Sequence, residues 1–224
     1  MVKNLTAPGQ GDKRIVMTEG EVLALLKEVG ALITGSHIVY TSGRHGGEYI
    51  NKDAVYPHTE KISMLCRALA ERYVPQAPEV VVAPALGGII LSQWIAHHLT
   101  ALSGKEVLGV YAEKGEQGFL LKRGYDQLVS GKRVLIAEDI LTTGGSVLQV
   151  VELVQKNGGK VVGVAALCNR GGVTAAELGG VPRIEVLVRL SLESWEESEC
   201  PLCRQKVPVN TAVGKGIEFL KKKR

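Results

Sequence analysis

Two adjacent carboxylates, Glu138 and Asp139, follow the apolar run Val134-Leu-Ile-Ala137 and precede Ile140-Leu141 and then Thr142-Thr143-Gly144-Gly145-Ser146. Such a run reads as a buried strand whose end opens into a turn and a helix. In an open α/β sheet, ligands bind at that edge. The turn supplies backbone N–H groups, hydroxyl donors, small residues that permit close approach, and the positive end of a helix dipole. These are the parts of a phosphate cradle. Carboxylates beside a phosphate repel it unless they face something else, and pentose hydroxyls or a divalent cation are suitable partners. The stretch therefore suits a sugar phosphate, with the acids for the sugar and the turn for the phosphate. A hydroxyl-capped helix after a strand that ends in acids is the structural alternative. The lysine of a Walker A loop is absent, and the glycines do not form the dinucleotide GxGxxG pattern.

Other groups carry less chemistry by themselves. Glu113 to Asp126 holds Lys114, Lys122 and Arg123 among glycines, between two predicted strands. A loop of that length without its own structure reads as a cationic lid or a solvated surface loop. Ala85-Leu86-Gly87-Gly88 joins an apolar run to a helical one, as a tight turn or an anion contact. Cys200-Pro-Leu-Cys203 has the spacing of half a structural zinc site. No second pair follows, so further ligands would have to come from elsewhere, for instance a partner subunit. A reduced surface knuckle or a redox-labile pair are the alternatives. Cys66 and Cys168 fall in predicted core segments, and His97-His98 on the helix after the Ala85–Gly88 turn.

The elements that must position these residues follow from periodicity. Thr18 is the predicted N-cap of a helix running to Val29, with early acids suiting its dipole. Ile38–Tyr40 and Glu48–Asn51 read as short strands around the turn from Ser42 to Gly47, and His58–Tyr73 has helical spacing. Apolar runs and helices then alternate: Val80–Ala83, Leu91–Leu102, Val107–Tyr111, Val134–Ala137, Ser146–Asn157, Val161–Leu167 and Ile184–Leu190. Continuous β-branched runs mark strands covered on both faces, and strand-helix-strand order implies an α/β fold with a mostly parallel sheet flanked by helices. Residues 1–17 read as a loose arm, 18–190 as the main domain, and 191–224 as an extension packed on it.

The totals agree with one well-buried domain. The 224 residues are 45% hydrophobic and 22% charged, and aromatics are only 4%, so the core is aliphatic. The net charge of +4 is spread out apart from Lys221–Arg224, and no aromatic-interleaved basic stripe points to nucleic acid. Four cysteines do not make a disulfide scaffold, and no signal peptide is expected in the polar start. Val80 to Leu99 lacks Asp, Glu, Lys and Arg, yet Pro84, Gly87-Gly88 and His97-His98 read as strand, loop and helix and not as a membrane span. The expectation is a cytoplasmic protein without membrane contact.

The full pattern of apolar strand, two acids, two apolar residues and Thr-Thr-Gly-Gly-Ser resembles the phosphoribosyl pyrophosphate (PRPP) motif of type I phosphoribosyltransferases. Further segments, in the proper order, are similar to the orotate phosphoribosyltransferases. Tyr40 to Asn51 resembles their base-binding segment, Ala83 to Ile89 their pyrophosphate loop, Leu121 to Tyr125 the end of their mobile catalytic loop, and Asn169-Arg170 their second base contact. The Glu199–Arg204 tail is similar to one bacterial branch. The resemblance spans about Gly20 to Gly214.

It implies the type I phosphoribosyltransferase fold, with a small hood built from the N- and C-terminal segments. It also implies orotate and PRPP as substrates, with Mg²⁺ carried by PRPP and not held directly by protein. Glu138 and Asp139 would hold the ribose hydroxyls, while Ile140, Leu141 and Thr142 to Ser146 would complete the PRPP motif and grip the 5′-phosphate. Ala85 to Gly88 would offer N–H groups to pyrophosphate. Lys114, Lys122 and Arg123 would close as a catalytic lid across the interface of a homodimer. Thr142, Arg170, Tyr49 and Ile50 would contact orotate, with Arg170 on its carboxylate. Familiar members of the family carry lysine where Thr41 and Gly87 stand, and arginine where Glu113 stands. Pyrophosphate binding is therefore expected to be less cationic, or to draw on the lid and Arg44. A phosphoribosyltransferase acting on a purine, and a PRPP-sensing regulator, are the rival readings.

Overall fold

The computed structural model describes residues 16–223. The predicted arm lies outside them except for Val16 and Met17, as does Arg224. Helix α1 (Glu19–Glu28) starts on a reciprocal cap: the Glu21 N–H donates to Thr18 Oγ1 at 3.3 Å and the Thr18 N–H to Glu21 Oε2 at 2.8 Å. Four two-residue strands follow, β1 (Leu32–Ile33), β2 (Ile38–Val39), β3 (His45–Gly46) and β4 (Tyr49–Ile50). They pair antiparallel as β1 with β4 and β2 with β3. Then come α2 (Thr59–Tyr73), β5 (Val80–Pro84), α3 (Gly87–Ser103), β6 (Leu108–Gly115), β7 (Gly118–Leu120), α4 (Tyr125–Val129), β8 (Arg133–Leu141), α5 (Gly145–Lys156), β9 (Lys160–Asn169) and β10 (Ile184–Arg189). The chain ends with α6 (Pro201–Arg204) and α7 (Gly216–Lys222).

The main sheet has the order β10-β9-β8-β5-β6-β7, parallel except for β7. Its strands are apolar on both sides, and their period of two sorts the residues into two cores. Val81, Ala83, Leu135 and Ala137 join the core with α1, α2 and α3, whereas Val80, Val82, Val134 and Ile136 join the core with α5. That is why the runs are continuous and not alternating.

One predicted feature is corrected here. The segment from Glu113 to Asp126 is not structureless: β6 runs on to Gly115 and pairs with β7, Glu113 opposite Leu120 and Lys114 opposite Phe119. Arg123 Nε and Lys122 Nζ bind Glu113 at 2.9 and 3.3 Å, which explains why the hairpin holds together despite its cations. Among the described residues no helix is long and apolar enough to cross a membrane.

Candidate active site

Chain order and spatial order part company beside β5, whose successor β6 lies on one side and β8 on the other. Such a switch point leaves a crevice at the strands' carboxyl ends. Strand β8 pairs with β5 only as far as Ile136, yet stays paired with β9 to Leu141. Beyond Ile136 it has no strand partner on the β5 side and lies instead against Gly87 and Gly88, and there stand Glu138 and Asp139, both buried.

The two acids line different cavities. Asp139 lines one of about 550 Å³, together with Tyr40–Ser42, Tyr49–Asp53, Ile140, Thr142, Arg170, Leu192, Ser194 and Gly214. Glu138 lines a smaller one of about 130 Å³, formed with the whole loop Ile140–Val147. Ile140 and Thr142 belong to both, so the cavities adjoin along the strand's last residues.

Asp139 is held from three directions. Its Oδ2 accepts from Lys52 Nζ at 2.6 Å and from Tyr56 OH at 2.8 Å, and its Oδ1 from the Ile140 N–H at 2.7 Å. Burial works against the Lys52 ammonium, but its hydrogen bond and attraction to Asp139, with Glu138 and Asp53 adding to them, raise its pKa overall. Burial, then the Asp139 charge, raises the Tyr56 phenol, which stays a neutral donor. Glu138 is pushed well above the carboxylate range, chiefly by burial and then by the adjacent Asp139 charge, although its Oε1 accepts the Asp139 N–H at 2.9 Å.

The smaller cavity is shaped by the start of α5. Gly144 is its N-cap with φ 76°, and a Cβ there would lie 2.9 Å from Leu178 Cδ2 and 3.0 Å from Val173 Cγ1. Only glycine satisfies both the left-handed backbone and that packing. The N–H groups of the first turn have no partner within a helix; that of Gly145 donates to Thr143 Oγ1 at 3.5 Å, and the residues of this turn line the cavity. At the neighbouring turn the Ala85–Leu86 peptide is cis. The Ala85 N–H donates to the Ala112 carbonyl at 2.8 Å, so it is spent, and Gly87 and Gly88 begin α3. A Cβ on Gly87 would fall 1.9 Å from Asp139 Oδ2 and 2.7 Å from Lys52 Nζ. Any side chain at 87 would displace the acid, and the cation next to this turn comes from position 52 instead.

Residues 51–185 match the family model of the phosphoribosyl transferase domain. A curated orotate phosphoribosyltransferase of Pelotomaculum thermopropionicum is 38% identical over 192 residues, 86% of this chain and 95% of the relative. That of Thermotoga maritima is 34% identical over 194 residues, 87% and 98% of the two chains. The chain belongs to the orotate phosphoribosyltransferase family. Among solved structures, the Mycobacterium tuberculosis orotate phosphoribosyltransferase with Fe(III) dicitrate superposes with a TM-score of 0.62 at 27% identity, covering 77% of this chain and 97% of that one. The same enzyme in complex with PRPP gives 0.59 at 25% identity, over 77% and 96%. The type I fold expected from the sequence, with its mostly parallel sheet, is the observed one.

Set against the family pattern, the structure gathers most of the predicted residues. Tyr49, Ile50, Thr142 and Arg170 share the larger cavity with Asp139. Among the described residues no side chain hydrogen-bonds or ion-pairs with the Arg170 guanidinium, whose backbone N–H donates to the Leu141 carbonyl at 3.0 Å. Lys114, Lys122 and Arg123 lie on the hairpin side and line neither cavity. Arg44 is also elsewhere, with Nε on Ser194 Oγ at 3.0 Å and Nη1 on Glu196 at 2.5 Å, so its expected turn toward pyrophosphate is corrected. Sequence reasoning missed Lys52 and Tyr56. Lys52 directly follows the base-binding segment, and that adjacency was the available signal. Nothing local marked Tyr56 as a partner of a residue 83 positions away.

Proposed function

We propose that the protein transfers the phosphoribosyl group of PRPP to orotate, giving orotidine 5′-monophosphate and pyrophosphate in UMP synthesis. One observation carries the reading: two adjoining cavities bring together the Thr142–Ser146 turn, two buried acids and the Arg170 guanidinium, which no side chain pairs with among the described residues. The cradle at Thr142–Ser146 suits the 5′-phosphate, and the shared rim at Ile140 and Thr142 suits the pentose between the acids. Arg170 supplies the charge that a carboxylate-bearing base calls for, with Tyr49 and Ile50 packing beside it.

Loss of pyrophosphate leaves positive charge developing on the ribose, so the chain's contribution is positioning and electrostatics. Lys52 and Tyr56 fix Asp139, and Lys52 places a cation beside the pyrophosphate turn at Gly87–Gly88. In this reading Mg²⁺ arrives on PRPP, and Asp139 Oδ2 is engaged by Lys52 and Tyr56. Carried on PRPP, Mg²⁺ would supply charge neutralisation at the leaving group. A cytoplasmic homodimer in which Lys114, Lys122 and Arg123 serve the partner's site accounts for their distance from the chain's own cavities.

The test is orotate consumption by purified protein with PRPP and Mg²⁺, wild type beside Arg170→Ala. Turnover is expected in the wild type. In the variant the orotate KM rises about 10- to 100-fold, the equivalent of roughly 1.5–3 kcal/mol for a charged hydrogen bond, with little change for PRPP. Consumption of a purine with orotate untouched would replace the base, and equal effects on both KM values would remove Arg170 from the base site.

A further inference from the structure

A second cluster lies outside the crevice and outside the segment matched by the family model. From His37, His45, Cys200 and Cys203 the structure assigns a structural zinc site, two thiolates and two imidazoles supplied by one chain. Their ligating atoms all lie within 4.8 Å of one another. Cys200 Sγ is 3.7 Å from His37 Nε2, and Cys203 Sγ is 3.6 Å from His37 Nε2 and 3.3 Å from His45 Nδ1. Bond lengths of about 2.3 Å to sulfur and 2.0–2.1 Å to nitrogen give tetrahedral edges of roughly 3.5 Å for S···N and about 3.3 Å for N···N. The three S···N separations bracket that edge. The two imidazole nitrogens, 2.9 Å apart, need to part by only about 0.4 Å to reach their tetrahedral edge.

The surroundings fit a metal better than a hydrogen-bond network. His37 Nδ1 donates to the Val207 carbonyl at 2.7 Å, which fixes the tautomer and aims the Nε2 lone pair at the cluster. Three groups then crowd that single lone pair, and one central cation satisfies them all. The Cys203 N–H donates to Cys200 Sγ at 3.4 Å, a backbone bond that supports a thiolate. His37, His45 and Cys200 are buried and Cys203 only partly, so the site is dry yet reachable. His45 Nε2 has no hydrogen-bond partner among the described residues, and its ring is held by Phe219 edge-on at 4.8 Å. Zn²⁺ with two thiolates and two neutral imidazoles sums to zero charge, and binding releases the two thiol protons.

The site joins the β2–β3 hairpin to the C-terminal segment. The hairpin turn carries Tyr40–Ser42 and the C-terminal segment carries Leu192, Ser194 and Gly214, all of which line the larger cavity. The metal is a staple between two walls of the base site.

Elemental analysis of untagged protein is expected to give one zinc per chain. Exchange into Co²⁺ should produce the visible bands of a tetrahedral ion with thiolate charge transfer. Cys203→Ser, at the most accessible ligand, should weaken metal binding more than about tenfold and remove much of that charge transfer. Stripping the wild type with a chelator should lower its melting temperature and zinc should restore it, a readout independent of turnover. A zinc-free wild type that shows no cobalt bands, a Cys200–Cys203 disulfide in protein purified without oxidant, or unchanged metal affinity in Cys203→Ser would each overturn the assignment.

Discussion

Glu138 shows how a site residue can oppose the fold that holds it. Its carboxyl is buried beside a second acid, and burial first, then Asp139, raises its pKa. Between the ordinary carboxylate range and that raised value the folded protein binds more protons than the unfolded chain. Stability therefore falls as pH rises across the window and is not regained above it. Glu138→Gln keeps an acceptor for the Asp139 N–H and removes the ionisation. Its melting temperature should match the wild type in acid and exceed it above neutrality, while turnover drops. Melting curves recorded against pH decide this, and parallel profiles for the two proteins would count against it. Lys52 teaches the complementary lesson: an ammonium drawn from another element balances an acid that β8 could not satisfy alone.

At the scale of elements, the decisive event is that β8 leaves β5 after Ile136 but follows β9 to Leu141. A strand paired on one side only can present Glu138 and Asp139 to a ligand while its backbone stays anchored. The next element depends on Gly144, where a left-handed backbone and contacts to Leu178 and Val173 coincide. Gly144→Ala should cost about 1–3 kcal/mol through strain and overpacking. In a chain of this length that is a fall of about 2–4 °C in melting temperature per kcal/mol. Phosphate protection against thermal unfolding should weaken with it. A variant as stable as the wild type would show that the turn relaxes freely.

At the scale of the whole molecule, the cations at 114, 122 and 123 line neither cavity of their own chain. If each lid serves a partner, two inactive variants should rescue each other. Lys122→Ala lacks a lid cation and Asp139→Asn lacks the site acid, yet their heterodimer has one intact site. Mixed in equal amounts after dissociation, they should recover roughly a quarter of wild-type activity, because half the dimers are mixed and each has one good site. No recovery, with heterodimers shown to form, would put the lid in its own subunit.

What could be read in advance was whatever depends on neighbours in the chain. The Thr18 cap of α1, the doubly covered strands and the acid pair ahead of a glycine turn follow from local chemistry and from periods of 2 and 3.6. Resemblance extended this to Arg170 and Tyr49. The hairpin at 113–120 escaped because glycines and cations look like loop until Glu113 finds Lys122 and Arg123. Tertiary structure alone could bring Lys52 and Tyr56 to Asp139, turn Arg44 toward Glu196, and set His37 and His45 against a cysteine pair more than 150 residues away. Such contacts are chosen by how packed layers close on one another, a geometry that no local pattern of residues encodes.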